Sequence, residues 1–103
     1  MKVRFSLLSV LKLEKLLEYL EQEWAEDSKN KFLKDLNTKL DSIKENPKAF
    51  PASTLEPKVR KCVVTRQTTI LYEIQDDSIF ILTVVDNRQD PDKIKKEIKK
   101  HFG

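Results

Sequence analysis

Apolar residues recur at every third or fourth position over the first quarter of the chain. One stripe contains Leu13, Leu16, Leu17, Leu20 and Trp24. This spacing predicts an amphipathic α-helix over residues 10–25. The hydroxyl of Ser9 is expected to cap the helix by accepting a backbone N–H of its first turn. The residues before it, KVRFSLL at 2–8, are typical of a short β-strand.

A second helical stripe follows the segment AEDSKNKF. Its apolar members are Phe32, Leu33, Leu36, Leu40 and Ile43. The predicted helix begins after a cap at Ser28 and ends near Glu45, because the proline in NPKAFP disfavours helical geometry in the residue before it. Two helices joined by a short turn predict an antiparallel hairpin. Each helix has one apolar face, so the hairpin needs a sheet to cover.

The second half of the chain alternates between apolar and polar positions, which is the period of β-strands. The pattern predicts strands over 58–66, 68–75 and 78–86, with QDD as a tight turn between the last two. The last strand is expected to carry Ile79, Ile81 and Val85 on one face and Phe80, Leu82 and Val84 on the other. A strand that is apolar on both faces is predicted to be central and covered on both sides.

A final helix is predicted from DPDKIKKEIKKHFG, with Asp90 as its cap and Pro91 at its first position. The element order is then β-α-α-β-β-β-α. The predicted fold class is α+β, a small antiparallel sheet with an N-terminal helical hairpin packed on one face. The 103 residues and 39% apolar content suffice for one modest core, so residues 1–103 are expected to form a single domain.

Charged residues are abundant but nearly balanced, with 20 Lys+Arg against 17 Asp+Glu and a formal net charge of +3. That excess alone is too small to indicate nucleic-acid binding. Acidic residues crowd the first helix and the turn after it, at Glu14, Glu18, Glu21, Glu23, Glu26 and Asp27. Basic residues crowd the last helix, at Lys93, Lys95, Lys96, Lys99 and Lys100. Such poles can orient a charged partner, although solvated helix faces are the commoner origin of such runs.

A single cysteine, Cys62, cannot form an internal disulfide, which fits a reducing compartment. We interpret it as a packing residue, since a nucleophilic thiol needs exposure and an adjacent base. No apolar run approaches the roughly 18 residues of a membrane span. The sequence therefore predicts a soluble, cytoplasmic protein with no membrane association.

Few residues are available for standard site chemistry. Cys62 and His101 are the only cysteine and histidine, and the sole glycine is Gly103. A metal cluster, a catalytic triad and a phosphate-cradling loop all need more than this. We therefore predict no metal site and no cofactor.

Four cations on or beside the predicted sheet are the remaining candidates: Arg60, Lys61, Arg66 and Arg88. Guanidinium groups on a rigid sheet suit phosphates or carboxylates, because each presents paired N–H donors. The other interpretation of Arg88 is a local pair with a neighbouring aspartate of DNRQDP.

Four segments resemble the RelE/ParE superfamily of toxins from type II toxin–antitoxin systems. They are YLEQEW, FLKDLNTKLDSIKENPKAFP, VRKCVVTRQTTILYEI and VVDNRQDP, in the family's order and over essentially the whole chain. The resemblance implies the fold described above and an antitoxin that wraps and neutralises the toxin. It leaves two mechanisms. RelE-like members cut messenger RNA on the ribosome, whereas ParE-like members, known as plasmid stabilisation proteins, block DNA gyrase.

The ribonuclease pattern carries over only in part. Arg60 keeps a cation where RelE-like nucleases have a lysine, and Arg88 matches the family's arginine after the last long strand. Cys62 and Thr69 stand where another lysine and an arginine are expected, and QDPDK replaces the aromatic or histidine acid–base group. Cleavage through the 2′-hydroxyl needs activation, a charge clamp and help for the leaving group. The resemblance therefore favours a ParE-like gyrase inhibitor that is not an enzyme.

The site residues expected from this resemblance fall into three sets. The target-binding set is Arg60, Arg66 and Arg88, and the catalytic set of a nuclease would be Arg60, Lys61 and Arg88. The antitoxin-binding set is Leu13, Leu17, Phe50 and Leu55, although ordinary core packing is the commoner role of each such residue.

The expected partners are a cognate antitoxin and DNA gyrase, with operator DNA reached only through the antitoxin. The ribosome and messenger RNA are the alternative targets. A degenerate toxin that only binds its antitoxin and operator DNA is the third possibility.

Overall fold

The computed structural model describes all of residues 1–103. Its elements are β1 (Lys2–Phe5), α1 (Leu7–Glu23), α2 (Glu26–Glu45), β2 (Arg60–Val63), β3 (Thr68–Gln75), β4 (Ser78–Asp86) and α3 (Pro91–Phe102). The predicted order β-α-α-β-β-β-α is confirmed. No helix combines the length and the apolar character that crossing a membrane would require.

The four strands form one sheet in the order β1-β4-β3-β2. β2, β3 and β4 are antiparallel neighbours, and the predicted QDD turn joins β3 to β4. β1 pairs in parallel with β4, so the sheet is mixed rather than wholly antiparallel. A parallel pair needs a long connection between its strands, and the helices α1 and α2 lie within that connection. The α+β class is confirmed.

Both faces of the sheet are covered, as the apolar strand β4 predicted. The helical hairpin α1–α2 covers one face over a core of Phe32, Leu36, Leu40, Ile43, Cys62, Val64, Ile70, Tyr72, Ile79 and Ile81. Helix α3 covers the other face over a smaller core of Val59, Leu71, Leu82, Val85, Ile94 and Ile98. Removing this apolar surface from water is the main force that holds the helices to the sheet.

A β-bulge in β4 changes the faces of its last residues. The register shifts opposite Leu71 and Tyr72 of β3, which leaves Leu82 without a partner. Beyond the bulge, Val85 packs in the α3 core, whereas Val84 lies opposite Ile70, a residue of the core beneath the helical hairpin. The predicted faces of these two valines are wrong, because one inserted residue reverses the face of every later side chain.

Helix α1 begins at Leu7, three residues earlier than predicted. Ser6 is the cap, since its Oγ accepts the backbone N–H of Ser9 at 2.9 Å. The same hydroxyl donates to the carbonyl of Leu82 at 2.6 Å. Ser9 lies inside the helix and donates to the carbonyl of Ser6 at 2.8 Å. The prediction of a Ser9 cap after a strand over 2–8 is wrong, because the sheet fixes Ser6 through a contact distant in sequence.

The turn between α1 and α2 also differs from the prediction. α2 begins at Glu26 with Ala25 at the cap position, so Ser28 lies within the first turn and does not cap. Ala25 has a φ of 134°, and no side-chain hydrogen bond caps the helix there. Trp24 was predicted to continue the buried stripe, yet it is 65% exposed.

Strand β2 is shorter than the predicted 58–66. Its ladder ends at Val63, and the backbone N–H of Val64 then donates to the carbonyl of Thr68 at 2.9 Å, which closes a tight turn. Cys62 is fully buried in this strand, as its packing interpretation predicted. Burial also raises the pKa of the Cys62 thiol.

Candidate functional site

A cavity of about 750 Å³ lies between the helical hairpin and the end of the sheet where β4 stops. Its lining includes apolar residues of both layers, namely Leu16, Leu20, Phe32, Val84 and Val85. Its other walls are the turn from β2 to β3 and the residues that follow β4. We name this cavity the hairpin cleft.

Two exposed aromatic side chains line the hairpin cleft. Tyr19 is 52% exposed and Trp24 is 65% exposed. Sequence reasoning missed both as site residues. Trp24 keeps the four-residue spacing from Leu20 and so was assigned to the buried stripe. Tyr19 lies outside that stripe. An aromatic residue outside the apolar stripe of an amphipathic helix is expected to be exposed, and this pattern could have identified Tyr19 as a site residue.

Four cations line the same cleft: Lys12, Lys31, Arg66 and Arg88. Lys12 is engaged by Glu97 of α3, with its Nζ 3.1 Å from the carboxylate. Arg66 is exposed and takes part in none of the ion pairs of the structure, so its guanidinium is free to meet a partner.

Arg88 forms a two-point pair with Asp86 at the edge of the cleft. Its Nη2 donates to Oδ2 at 2.8 Å and its Nε donates to Oδ1 at 3.1 Å. The backbone N–H of Arg88 also donates to Oδ1, at 2.8 Å. These side-chain and backbone hydrogen bonds lower the pKa of the Asp86 carboxyl. The local pair that the sequence offered for Arg88 is therefore present, while the remaining N–H donors of its guanidinium stay unused.

Asn87 fastens the turn between β2 and β3 to the end of β4. Its backbone N–H donates to the carbonyl of Gln67 at 2.7 Å. Its Nδ2 donates to the carbonyl of Arg66 at 2.9 Å, and its Oδ1 accepts the hydroxyl of Thr69. Arg66 and Arg88, from separate turns, are thereby held on one side of the cleft.

Arg60 and Lys61 lie outside the hairpin cleft. The Nη1 of Arg60 donates to the carbonyl of Phe50 at 2.6 Å and to that of Lys48 at 3.2 Å. Its guanidinium thus secures the loop before β2. Lys61 instead lines a smaller cavity of about 290 Å³ beside α3.

The separation of these cations follows from the register of the sheet. Arg60 lies opposite Tyr72, and Asp86 lies opposite Thr68, four residues away along β3. At about 3.3 Å per residue, roughly 13 Å separates these two levels of the sheet. The structure therefore brings Arg66 and Arg88 together and does not bring Arg60 or Lys61 to them.

Tyr72 of β3 is a further group with a displaced pKa. Its ring is fully buried, and its hydroxyl donates to the carbonyl of Pro47 at 2.7 Å. Burial raises the pKa of Tyr72 to about 12. Through this hydrogen bond, Tyr72 ties the loop before β2 to the sheet.

The predicted antitoxin-binding residues are half-buried. Leu13, Leu17 and Phe50 pack against the core beneath the helical hairpin, and Leu55 packs against the core beneath α3. The ring of Phe50 meets that of Tyr72 edge to face, with centroids 6.5 Å apart. The exposed apolar residues of the first turns of α1 are instead Leu7, Val10 and Leu11.

A known protein family matches most of the chain. The family model "ParE toxin of type II toxin-antitoxin system, parDE" matches residues 3–91. No curated protein matches the sequence.

Three solved structures share the fold. A chain of the chromosomal ParDE TA system from P. aeruginosa superposes with a TM-score of 0.72 at 12% identity, covering 84% of this chain and 95% of that chain. The YoeB/ParE toxin from Agrobacterium tumefaciens gives 0.60 at 14% identity, with 84% and 99% covered. The YoeB dimer from Staphylococcus aureus gives 0.57 at 17% identity, with 82% and 94% covered.

The family match extends from β1 to the first residue of α3 and includes every element that lines the hairpin cleft. The chain therefore belongs to the ParE toxin family of type II toxin–antitoxin systems.

Proposed function

We propose that the chain acts as a ParE-like toxin, binding DNA gyrase and inhibiting it without catalysing a reaction. The hairpin cleft is the proposed target-binding surface. The observation that carries this proposal is the meeting of exposed Tyr19 and Trp24 with Arg66 and Arg88 along one apolar groove. Tyrosine, tryptophan and arginine are the residues that most often dominate the binding energy of protein interfaces.

The disposition of charge in the cleft favours binding over catalysis. General acid–base catalysis needs a titratable group with a pKa near the working pH. Asp86 has a pKa lowered by Arg88, so its carboxylate stays ionised and occupied. Arg60 and Lys61, which a nuclease would need beside Arg88, are directed to other parts of the molecule.

The proposal is tested by titrating the purified chain into a gyrase supercoiling assay. We expect inhibition by the wild-type protein that the cognate antitoxin reverses. Arg66→Ala and Arg88→Ala should each weaken inhibition by about tenfold, which corresponds to about 1.4 kcal/mol of binding free energy. Lys44→Ala is the matched control, because it removes an exposed cation of α2 outside the cleft. Its inhibition should equal that of the wild type.

Failure of the folded wild-type chain to inhibit gyrase would overturn the gyrase proposal. Equal effects of the two arginine variants and of Lys44→Ala would remove the cleft as the target-binding surface.

We also propose that a cognate antitoxin covers α1. Leu7, Val10 and Leu11 form an exposed apolar surface on its first turns, next to half-buried Leu13 and Leu17. An amphipathic antitoxin helix could bury these side chains. Leu11→Ala should weaken antitoxin affinity while leaving the free energy of unfolding nearly unchanged, as followed by calorimetry and urea denaturation.

RelE-like cleavage of messenger RNA on the ribosome is the second candidate function. The observation in its favour is that Arg88 keeps the position expected of that class and lines the cleft. Cleavage of ribosome-bound messenger RNA that is lost in Arg60→Ala, Lys61→Ala and Arg88→Ala would establish it. A chain that binds its antitoxin but affects neither gyrase nor messenger RNA would be a degenerate toxin.

A further inference from the structure

The densest cluster of positively charged side chains lies outside the hairpin cleft, on α3. Five lysines of this helix are exposed: Lys93, Lys95, Lys96, Lys99 and Lys100. The opposite side of the helix is buried through Ile94 and Ile98. Glu97 is turned towards Lys12 of α1, so its charge is already paired. The outward side of α3 therefore has a strong positive excess, with Asp92 the one acidic residue exposed there.

Strand β1 extends this positive surface. The guanidinium carbon of Arg4 lies 5.1 Å from the centre of the Phe80 ring. Phe80 in turn meets Phe102 edge to face, with centroids 5.9 Å apart. Arg4 is thereby held close to the C-terminal end of α3. We define the basic face as Arg4 together with the five lysines.

We propose that the basic face binds the phosphate backbone of duplex DNA without reading its sequence. Neither the cleft nor the gyrase proposal requires this surface, and most of it lies beyond residue 91, where the family match ends. The proposal departs from the sequence-based expectation that DNA is reached only through an antitoxin. Lysine ammonium groups act as point charges, which suits phosphate contacts that carry no sequence information.

The structure favours duplex DNA over a lipid surface or a single strand. A helix that binds lipid inserts its apolar side, but Ile94 and Ile98 are already buried against the sheet. Single-stranded nucleic acid is held largely by stacking on aromatic rings, and no aromatic residue lies among the lysines from Lys93 to Lys100. From Lys93 to Lys100 the helix extends over about 10 Å, which places several cations along a phosphate backbone.

The charges elsewhere in the molecule favour an approach of DNA towards α3. The acidic residues of α1 and its turn repel phosphate, so a DNA duplex approaches with α3 facing it. This separation of charge explains how a chain with a net charge of only +3 can present a locally strong positive surface.

The test is fluorescence anisotropy of a labelled duplex of about 20 base pairs, with the purified chain and without gyrase or antitoxin. With about four phosphate contacts, the association constant should fall roughly a hundredfold between 50 and 200 mM salt. Replacing Lys95, Lys96, Lys99 and Lys100 with glutamine should weaken binding at least about tenfold at low salt and flatten the salt dependence.

The matched control replaces Lys34, Lys44, Lys48 and Lys58 with glutamine. These exposed lysines lie outside α3, and both variants lose the same amount of charge. The control should stay within about threefold of the wild type. A milder pair, Lys96→Gln with Lys100→Gln, repeats the test with a smaller change to α3 and should show an intermediate loss.

Three results would overturn the proposal. They are no binding of DNA at 50 mM salt, equal losses in the α3 variant and its control, and tighter binding to phosphatidylglycerol vesicles than to DNA. Because gyrase is absent, such a failure leaves the gyrase proposal untouched. A failure in the supercoiling assay likewise does not bear on this binding measurement.

Discussion

Ala25, between the two N-terminal helices, has a backbone conformation that its side chain disfavours. Its φ of 134° and ψ of 165° lie in a region almost restricted to glycine, where another residue costs about 1–3 kcal/mol. Glycine relieves that strain, but its greater conformational entropy stabilises the unfolded chain by about 0.4–1 kcal/mol. We therefore expect Ala25→Gly to raise the free energy of unfolding by about 1 kcal/mol, measured by urea denaturation.

Ala49→Gly is the control for that substitution. Ala49 lies in an exposed turn and has no positive φ. Glycine there relieves no strain, so stability should fall by up to about 1 kcal/mol. A similar loss at both positions would contradict the strain inferred at Ala25.

The titration of the Asp86 carboxyl should show the effect of its pair with Arg88. Its folded pKa lies below the ordinary value of 3.8, because Arg88 donates to the ionised carboxylate. The resulting stabilisation is present above pH 3.8 and is lost as the pH falls through the lower folded value. The pair is exposed, so this contribution is small.

Carboxyl-carbon NMR titration measures that pKa directly. In Arg88→Ala we expect the Asp86 pKa to rise towards its ordinary value. Identical titration of Asp86 in the wild type and in Arg88→Ala would contradict the two-point pair.

At the level of elements, α1 is joined to the sheet by its cap. The Ser6 hydroxyl accepts from the first turn of α1 and donates to Leu82 of β4. Ser6→Ala should lower the free energy of unfolding by about 1–2 kcal/mol. Ser28→Ala, at a serine that does not cap α2, should change it by less than about 0.5 kcal/mol. Comparable losses in thermal denaturation would show that Ser6 has no special role.

These elements also show which features a sequence reveals. The end of α2, the bounds of β3 and β4 and the Asp90 cap of α3 follow from neighbouring residues, and all were predicted. The cap at Ser6 depends on a carbonyl of β4, and the bulge at Leu82 depends on how two strands pair. Patterns within one segment carry neither kind of information.

The hairpin cleft was only partly predictable for the same reason. Arg66 and Arg88 were identified by residue type, as planar cations near strand ends. Their meeting depends on Asn87, which links two turns through backbone carbonyls. Arg60, chosen on the same grounds, is held elsewhere by the carbonyls of the loop before β2. Residue type therefore indicated the chemistry, and tertiary contacts decided which cations share a site.

Across the whole molecule, three surfaces differ in their chemistry. The hairpin cleft combines arginine with aromatic rings, α3 is basic, and the first turns of α1 are apolar. Each surface suits a different partner chemistry, namely a protein target, a phosphate backbone and an apolar helix. Our proposals thus assign target, DNA and antitoxin to separate parts of one small fold.

The apolar surface of α1 has a consequence for the isolated chain. Leu7 is 75% exposed, Leu11 48% and Val10 37%, and all three lie on the first two turns. Exposed apolar clusters of this kind favour association when no partner covers them. We expect light scattering of the chain alone to give a mass that rises above the monomer value of 12.1 kDa with concentration.

Substitutions locate the surface responsible for that association. Leu7→Gln with Leu11→Gln should return the chain to a monomer, because the side chains replaced lie largely outside both cores. Val63→Thr is the control, since Val63 is 50% exposed on β2, away from α1, and its replacement should leave association unchanged. A wild-type mass of 12.1 kDa at every concentration would show that the α1 surface is not self-complementary. Association that persists in the double variant but disappears in Val63→Thr would place the contact on the open edge of β2.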